Sequence, residues 1–254
     1  MAWVETQSQS FTARHASEDA NSAMSLLDRL ERFRDELSEL FETTPGEVSA
    51  VMHSHDWQLA LAHPWLPLAR MVAAPASRRY FAGWFSAREI HVLAPPALER
   101  RASGLPESAA ALERSPLHEY AHLVIGANNP GLPPPFRPNS FARYVRWAWL
   151  CEGAATHFAG QTRLLRPAIL RRLREGGRPA FPPSARDAQL LGGTLFALLE
   201  DRRGTEACVR LACRLDGNGR GALERAFDSP ALEIEGEWRA YLGAFTSAPP
   251  STPS

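Results

Sequence analysis

Leu117-His118-Glu119-Tyr120-Ala121-His122 is the stretch that decides how this chain is read. In a helix, His118 and His122 stand one turn apart on the same face, where two imidazoles can share a metal ion. Glu119 is rotated off that axis, so it can reach water activated at the ion without becoming a ligand. Just upstream, Ser115-Pro116 offers a capping residue followed by proline, which predicts that the helix opens there.

The run Trp149-Leu150-Cys151-Glu152-Gly153-Ala154-Ala155 completes the pattern. A catalytic zinc takes three protein ligands and keeps a fourth position open, and two histidines with one glutamate is a standard set. Glu152 falls in an apolar stretch, 141–159, that reads as helix, where a carboxylate is costly unless paired or on a metal. Residues 126–140 are rich in Pro, Gly and Asn and read as a loop that folds the second helix back on the first. His118, His122 and Glu152 are therefore expected to bind Zn²⁺, with Glu119 as general base. Cys151 is a second-choice ligand whose simpler role is small-residue packing.

Together these motifs resemble the gluzincin metallopeptidases, in the peptidase MA-like group in which HExxH is followed by a Trp-Leu-x-Glu-Gly-x-Ala run. The match lies at His118, Glu119, His122, Trp149, Leu150, Glu152, Gly153 and Ala155. The resemblance implies a zincin-like α+β fold. A small N-terminal sheet lobe with helices (about 1–113) would face a helical lobe (about 114–245) across the active-site helices, as one catalytic domain over 1–245. In it, Phe11 to His15 is similar to a first strand, residues 20–42 to a first helix and Ile90 to Pro95 to a strand before the active-site helix. Gly192 to Phe196 and Glu237 to Leu242 resemble helices that close the fold. The implied activity is zinc-dependent hydrolysis of a peptide or protein substrate. One departure is Thr156, where gluzincins often carry an acid that orients a zinc-binding histidine; a hydroxyl can accept one hydrogen bond but lacks that charge.

Composition narrows the alternatives. The chain has 254 residues, enough for one large domain, with 44% apolar and 22% charged residues. Basic and acidic residues balance at 28 each, so no net field recruits nucleic acid or an anionic membrane. The Arg-rich run 166–178 reads as a solvated helix face. Residues 1–10 lack the basic and apolar regions of a signal peptide, and the longest apolar stretch, 190–199, is far short of the roughly 20 residues that span a bilayer. Three cysteines, Cys151, Cys208 and Cys213, cannot all pair, and a reduced cytoplasmic setting is expected.

Along the chain, residues 3–14 alternate as a strand. Leu26, Leu30, Phe33, Leu37, Leu40 and Phe41 mark an amphipathic helix. Residues 48–52, 80–85 and 89–93 read as strands, 56–76 is ambiguous, and helices dominate afterwards. Ser184 with Asp187, Thr205 and Ser229 are expected to cap later helices. The Ser/Pro/Thr/Ala tail 246–254 is expected to be disordered.

The spacing does not assign the group that stabilises the oxyanion: His157, Tyr144 and Tyr241 are the candidates. The strand 90–93 is expected to hold an extended substrate by main-chain hydrogen bonds. His53 and His55 form a second His pair with no evident third ligand. The competing expectation is a weak or inactive zincin-like protein working as a binding or regulatory module. A non-peptide amide would be hydrolysed by the same machinery.

Overall fold

Residues 3–14 form two strands rather than one. β1 (Trp3–Gln7) and β2 (Phe11–Ala16) make an antiparallel hairpin in the computed structural model, which describes residues 2–63 and 65–247. The turn is fastened from outside: Glu31 accepts from the Ser8 hydroxyl and the Ser10 backbone N–H, both at 2.6 Å. Glu31 lies on α1 (Ala20–Ser38), which buries Leu26, Leu30, Phe33 and Leu37 as its periodicity predicts. Phe41 is buried beyond the helix end, while Leu40 is exposed.

β3 (Val48–His53) pairs parallel with β2, and α1 crosses between them. The ambiguous segment 56–76 resolves into α2 (Asp56–Ala62) and α3 (Trp65–Val72). β4 (Gly83–Phe85) and β5 (Glu89–Leu93) complete a sheet of order β1-β2-β3-β5-β4, parallel at its centre and antiparallel at both edges. β3 and β5 are almost continuously buried, as strands covered on both faces should be.

Helices follow: α4 (Pro95–Arg101), α5 (Pro106–Glu113), α6 (Ser115–Asn128), α7 (Pro138–Arg146), α8 (Ala148–Phe158), α9 (Arg166–Arg174), α10 (Ala188–Arg203), α11 (Thr205–Ala212), α12 (Gly219–Phe227) and α13 (Ala231–Ser247). The fold is α+β, and one hydrophobic core runs from Phe11 on β2 to Leu242 on α13. The expected helix over 141–159 is broken at Trp147, which separates α7 from α8. The expected tail from Thr246 starts inside α13, and residues 248–254 lie outside the described part.

Several expected caps do other work. Ser115 sits inside the first turn of α6 and donates to the Leu112 carbonyl at 2.8 Å. Asp187 precedes α10, but its carboxylate is taken by a two-pronged pair with Arg172 at 2.5 and 2.9 Å. Arg172 is thereby buried, which corrects the expectation of a fully solvated arginine face. Thr205 donates to Glu200, and the first amide of α13 is satisfied by Glu224 instead of Ser229.

Helices α8 and α10 approach through glycines. A Cβ on Gly153 would lie 2.6 Å from the Gly192 carbonyl carbon, and one on Gly192 would lie 2.5 Å from the Trp149 oxygen. Both obstacles are backbone, which cannot swing aside. Gly236, exposed on α13, would meet nothing within 4 Å.

A second buried feature lies across the sheet. His53 Nε2 is 2.9 Å from His91 Nδ1, and the His63 ring stands edge-on to His91 with centroids 4.1 Å apart. His53 therefore pairs with His91 and not with His55, which is exposed at the start of α2. Burial, the largest cause in each case, pushes all three imidazoles from the ordinary 6.5 down to about 4. Glu89, 3.4 Å from His91, pulls the other way on His53 and His63, while Arg14 adds to the depression on His91.

Two stability outcomes follow from this packing. Gly192→Ala should cost about 1–3 kcal/mol by overpacking, whereas Gly236→Ala should be neutral or stabilise by up to about 1 kcal/mol; chemical denaturation of both variants checks this. The neutral histidine cluster is native-like, so its contribution is complete above pH 6.5 and is lost as pH falls through about 4. Thermal melts from pH 7 to 4 should fall across that window, and His53→Leu should flatten the fall.

Candidate metal centre

The whole of α6 from Ser115 to Gly126 is buried, so the helix threads the core instead of lying on it. It holds His118 and His122 one turn apart with their Nε2 atoms 3.1 Å from each other. α8 brings the third group: Glu152 Oε2 lies 3.4 Å from His118 Nε2, and its Oε1 lies 3.5 Å from His122 Nε2. The glycine contact with α10 sets how deeply α8 can sit, and with it the reach of Glu152.

These spacings fit a zinc ion. Ligands at about 2.0–2.1 Å around a tetrahedral centre stand about 3.3 Å apart, close to the three distances observed. The His118, His122 and Glu152 donor atoms all fall within 4.8 Å of one another, and all three side chains are buried. It is the only such cluster among the described residues.

Electrostatics favour the same conclusion. Burial would raise the Glu152 carboxyl, but His122, His118 and the Tyr144 hydroxyl hold it down to about 2. Burial lowers His122 to about 3, so it is a neutral imidazole at neutral pH. Burial also acts to lower His118, but the hydrogen bond and charge of Glu152 and the charge of Glu119 outweigh it and raise its pKa. The Glu152 carboxylate and the neutral His122 imidazole are the forms a metal requires, whereas the raised pKa of His118 favours a proton that a metal would have to displace.

The partner that orients His118 is Gln161, which the sequence did not mark. Its Nε2 donates to the Ala111 carbonyl at 2.8 Å, so its Oε1 faces His118 Nδ1 at 2.9 Å. His118 then donates through Nδ1 and keeps Nε2 free for a metal. Thr156, where the resemblance would lead one to look for an acid in this role, packs toward α10: its methyl would be 2.9 Å from a Cβ on Gly193, and its buried hydroxyl has no hydrogen-bond partner among the described residues. The usable signal was a polar Gln directly after Gly160, which ends α8 at φ +68°.

His122 is held by Phe85, stacked at 4.2 Å and 16°. Glu119 lies against β4, where a Cβ on Gly83 would come within 2.6 Å of it; only glycine leaves it room. Burial raises the Glu119 carboxyl to about 8, with His118 opposing and Glu152 reinforcing. Glu119 lines the same 380 Å³ cavity as His118, His122 and Glu152 and lies outside that cluster.

The other expected residues divide. Tyr144 enters the cavity wall and hydrogen-bonds Glu152 through its hydroxyl. His157 does not reach the cavity; it sits 3.6 Å from Glu200 and packs on Phe196. Tyr241 stacks on Phe245, outside the cavity. Cys151 is a packing residue whose thiol burial pushes well up, and it is not part of the ligand cluster.

Replacing Gln161 tests the geometry directly. Gln161→Leu should lower zinc affinity by about 10–100-fold, while Thr156→Val should leave it within a few-fold; competition with a chromogenic chelator measures both.

Among protein families and curated proteins, no match is found. Two solved structures are similar. An M1 zinc metallopeptidase mutant from Deinococcus radiodurans matches at 15% identity and TM-score 0.47, covering all of this chain and 53% of that one. A two-domain M1 zinc metallopeptidase mutant bound to L-tryptophan matches at 14% identity and TM-score 0.41, covering all of this chain and 52% of that one. The chain thus spans about half the length of the solved structures it matches.

Proposed function

We infer that this chain is a zinc-dependent, zincin-like hydrolase of peptide bonds. The observation that carries the reading is a buried His-His-Glu triangle of zinc dimensions with a further carboxylate, Glu119, in the same cavity and outside the triangle. A structural zinc site closes its fourth position and has no use for such a base.

When bound, Zn²⁺ at three protein ligands acidifies water and polarises a carbonyl. His118, His122 and Glu152 would hold it. Glu119 would accept a proton from the attacking water and return it to the departing amine nitrogen; burial raises its carboxyl, and the charge of a bound cation would act in the opposite direction. Tyr144 keeps its proton, since burial lifts its pKa well above the ordinary range, and donates it to Glu152, which holds that carboxylate in place.

Substrate alignment falls to a different strand from the one expected. β5 is interior, flanked by β3 and β4, so 90–93 has no free edge. β4 is the edge and lines the cavity through Gly83, Trp84 and Phe85, which suits it to pair with an extended peptide. Against the inactive-module reading, Gln161 supplies the hydrogen bond to His118 that Thr156 does not make. Three unpaired cysteines suit a reducing compartment, and no helix among the described residues is long and apolar enough to cross a membrane.

The reading is tested with Glu119→Gln. The variant should keep stoichiometric zinc and lose about 10²–10⁴-fold in cleavage of a mixed peptide library. Undiminished turnover would remove Glu119 from the mechanism.

A further inference from the structure

We propose that the face on which the cavity opens docks on an anionic lipid surface, with α3 and α7 seated in the headgroup layer. Vesicle binding needs no turnover, so this inference stands or falls apart from the hydrolase reading.

The even balance of 28 basic and 28 acidic residues conceals an uneven distribution. Residues 57–88, which include α3 and β4, hold four arginines and no Asp or Glu. Residues 120–151, which include α7, hold three arginines and again no Asp or Glu. The rest of the chain is left with 21 arginines against 28 acids. Both acid-free segments wall the cavity, the first through Leu68, Val72 and Trp84 and the second through Phe141 and Val145.

The arginines on this face are free to meet an anion. Arg78, Arg137, Arg143 and Arg186 are exposed, and none has a carboxylate partner among the described residues. Arg143 lies on α7 itself and donates only to the Gly131 carbonyl, at 3.3 Å. Arg186 follows the lining residue Ala185, and its carbonyl accepts from the Ala74 N–H just past the end of α3. Two acids outside the acid-free segments are already engaged: Asp56 by Arg101 and Arg70, and Asp187 by Arg172.

Hydrocarbon is concentrated on the same two helices. Five of the thirteen large apolar side chains that stand exposed among the described residues sit on α3 and α7, helices of only eight and nine residues. Met71 is 71% exposed and Val72 65%, with Leu68, Phe141 and Val145 between 43% and 49%. Four of the five also line the cavity, so they stand at its mouth on two separate walls. A flat surface can cover both walls at once, and an anionic bilayer offers charge to the arginines and acyl chain to the apolar groups together. A partner that was acidic but polar would leave this hydrocarbon in water.

Cosedimentation of the full chain with vesicles tests the proposal. Phosphatidylcholine vesicles with about 30% phosphatidylserine should bind it at least 10-fold tighter than phosphatidylcholine alone, and about 0.5 M salt should release it. Arg143→Gln and Arg186→Gln should each weaken binding by about 5-fold. Met71→Ser should weaken it by about 10-fold, while Arg210→Gln on α11 should change nothing. Failure to bind the anionic vesicles overturns the proposal, as does equal binding to both kinds or binding that ignores the α3 and α7 variants. Binding of a soluble acidic amphipathic peptide with no vesicle binding assigns the face to a protein partner, and also overturns it. Vesicle binding without cleavage of any peptide sinks the hydrolase reading and leaves this one standing; cleavage without vesicle binding does the reverse.

Discussion

Holding a carboxylate against two imidazoles inside the core is the constraint around which this structure is arranged. Three polar side chains from α6 and α8 are taken out of water with their donor atoms within 4.8 Å of one another, and the neighbouring elements pack around them. α6 runs through the interior so that its histidines are dry, and α8 is pressed close by α10 through facing glycines. Gln161 fixes one ring by hydrogen bonding, and Phe85 fixes the other by stacking. Desolvation is both the cost of this arrangement and its use, because the same burial that penalises charge also sharpens each electrostatic contact.

Much of this was legible because helical periodicity is local. His118 and His122 meet through the pitch of one helix, and Glu152 was marked by being a carboxylate in an apolar frame. The α+β class followed from strand-like patterns early and helix-like patterns late, and α1 showed its buried face plainly. What stayed hidden depends on contacts distant in sequence. Gln161 reaches His118 across a chain reversal, His53 meets His91 by strand pairing, and Arg172 finds Asp187 through helix packing. The identity of the edge strand is likewise a matter of sheet order, which no run of residues declares.

The two groups that lie away from the cavity share a cause. Thr156 and His157 are on the helix that carries Glu152, and sequence proximity made them attractive. A helix has several faces, however, and theirs turn toward α10 and Glu200. Tyr144, on the preceding helix, reaches the carboxylate because the break at Trp147 lets α7 fold over the cavity.

The close contact between Gly83 and Glu119 ties the outer strand's alignment to the active helix. Sliding β4 by a single position along β5 would set Ala82 or Trp84 opposite that carboxylate, and either side chain would collide where only a hydrogen now fits. Short border strands are ordinarily prone to such slippage. Here the glutamate acts as a detent, so the groove floor keeps its alignment through the very group assigned to move the proton.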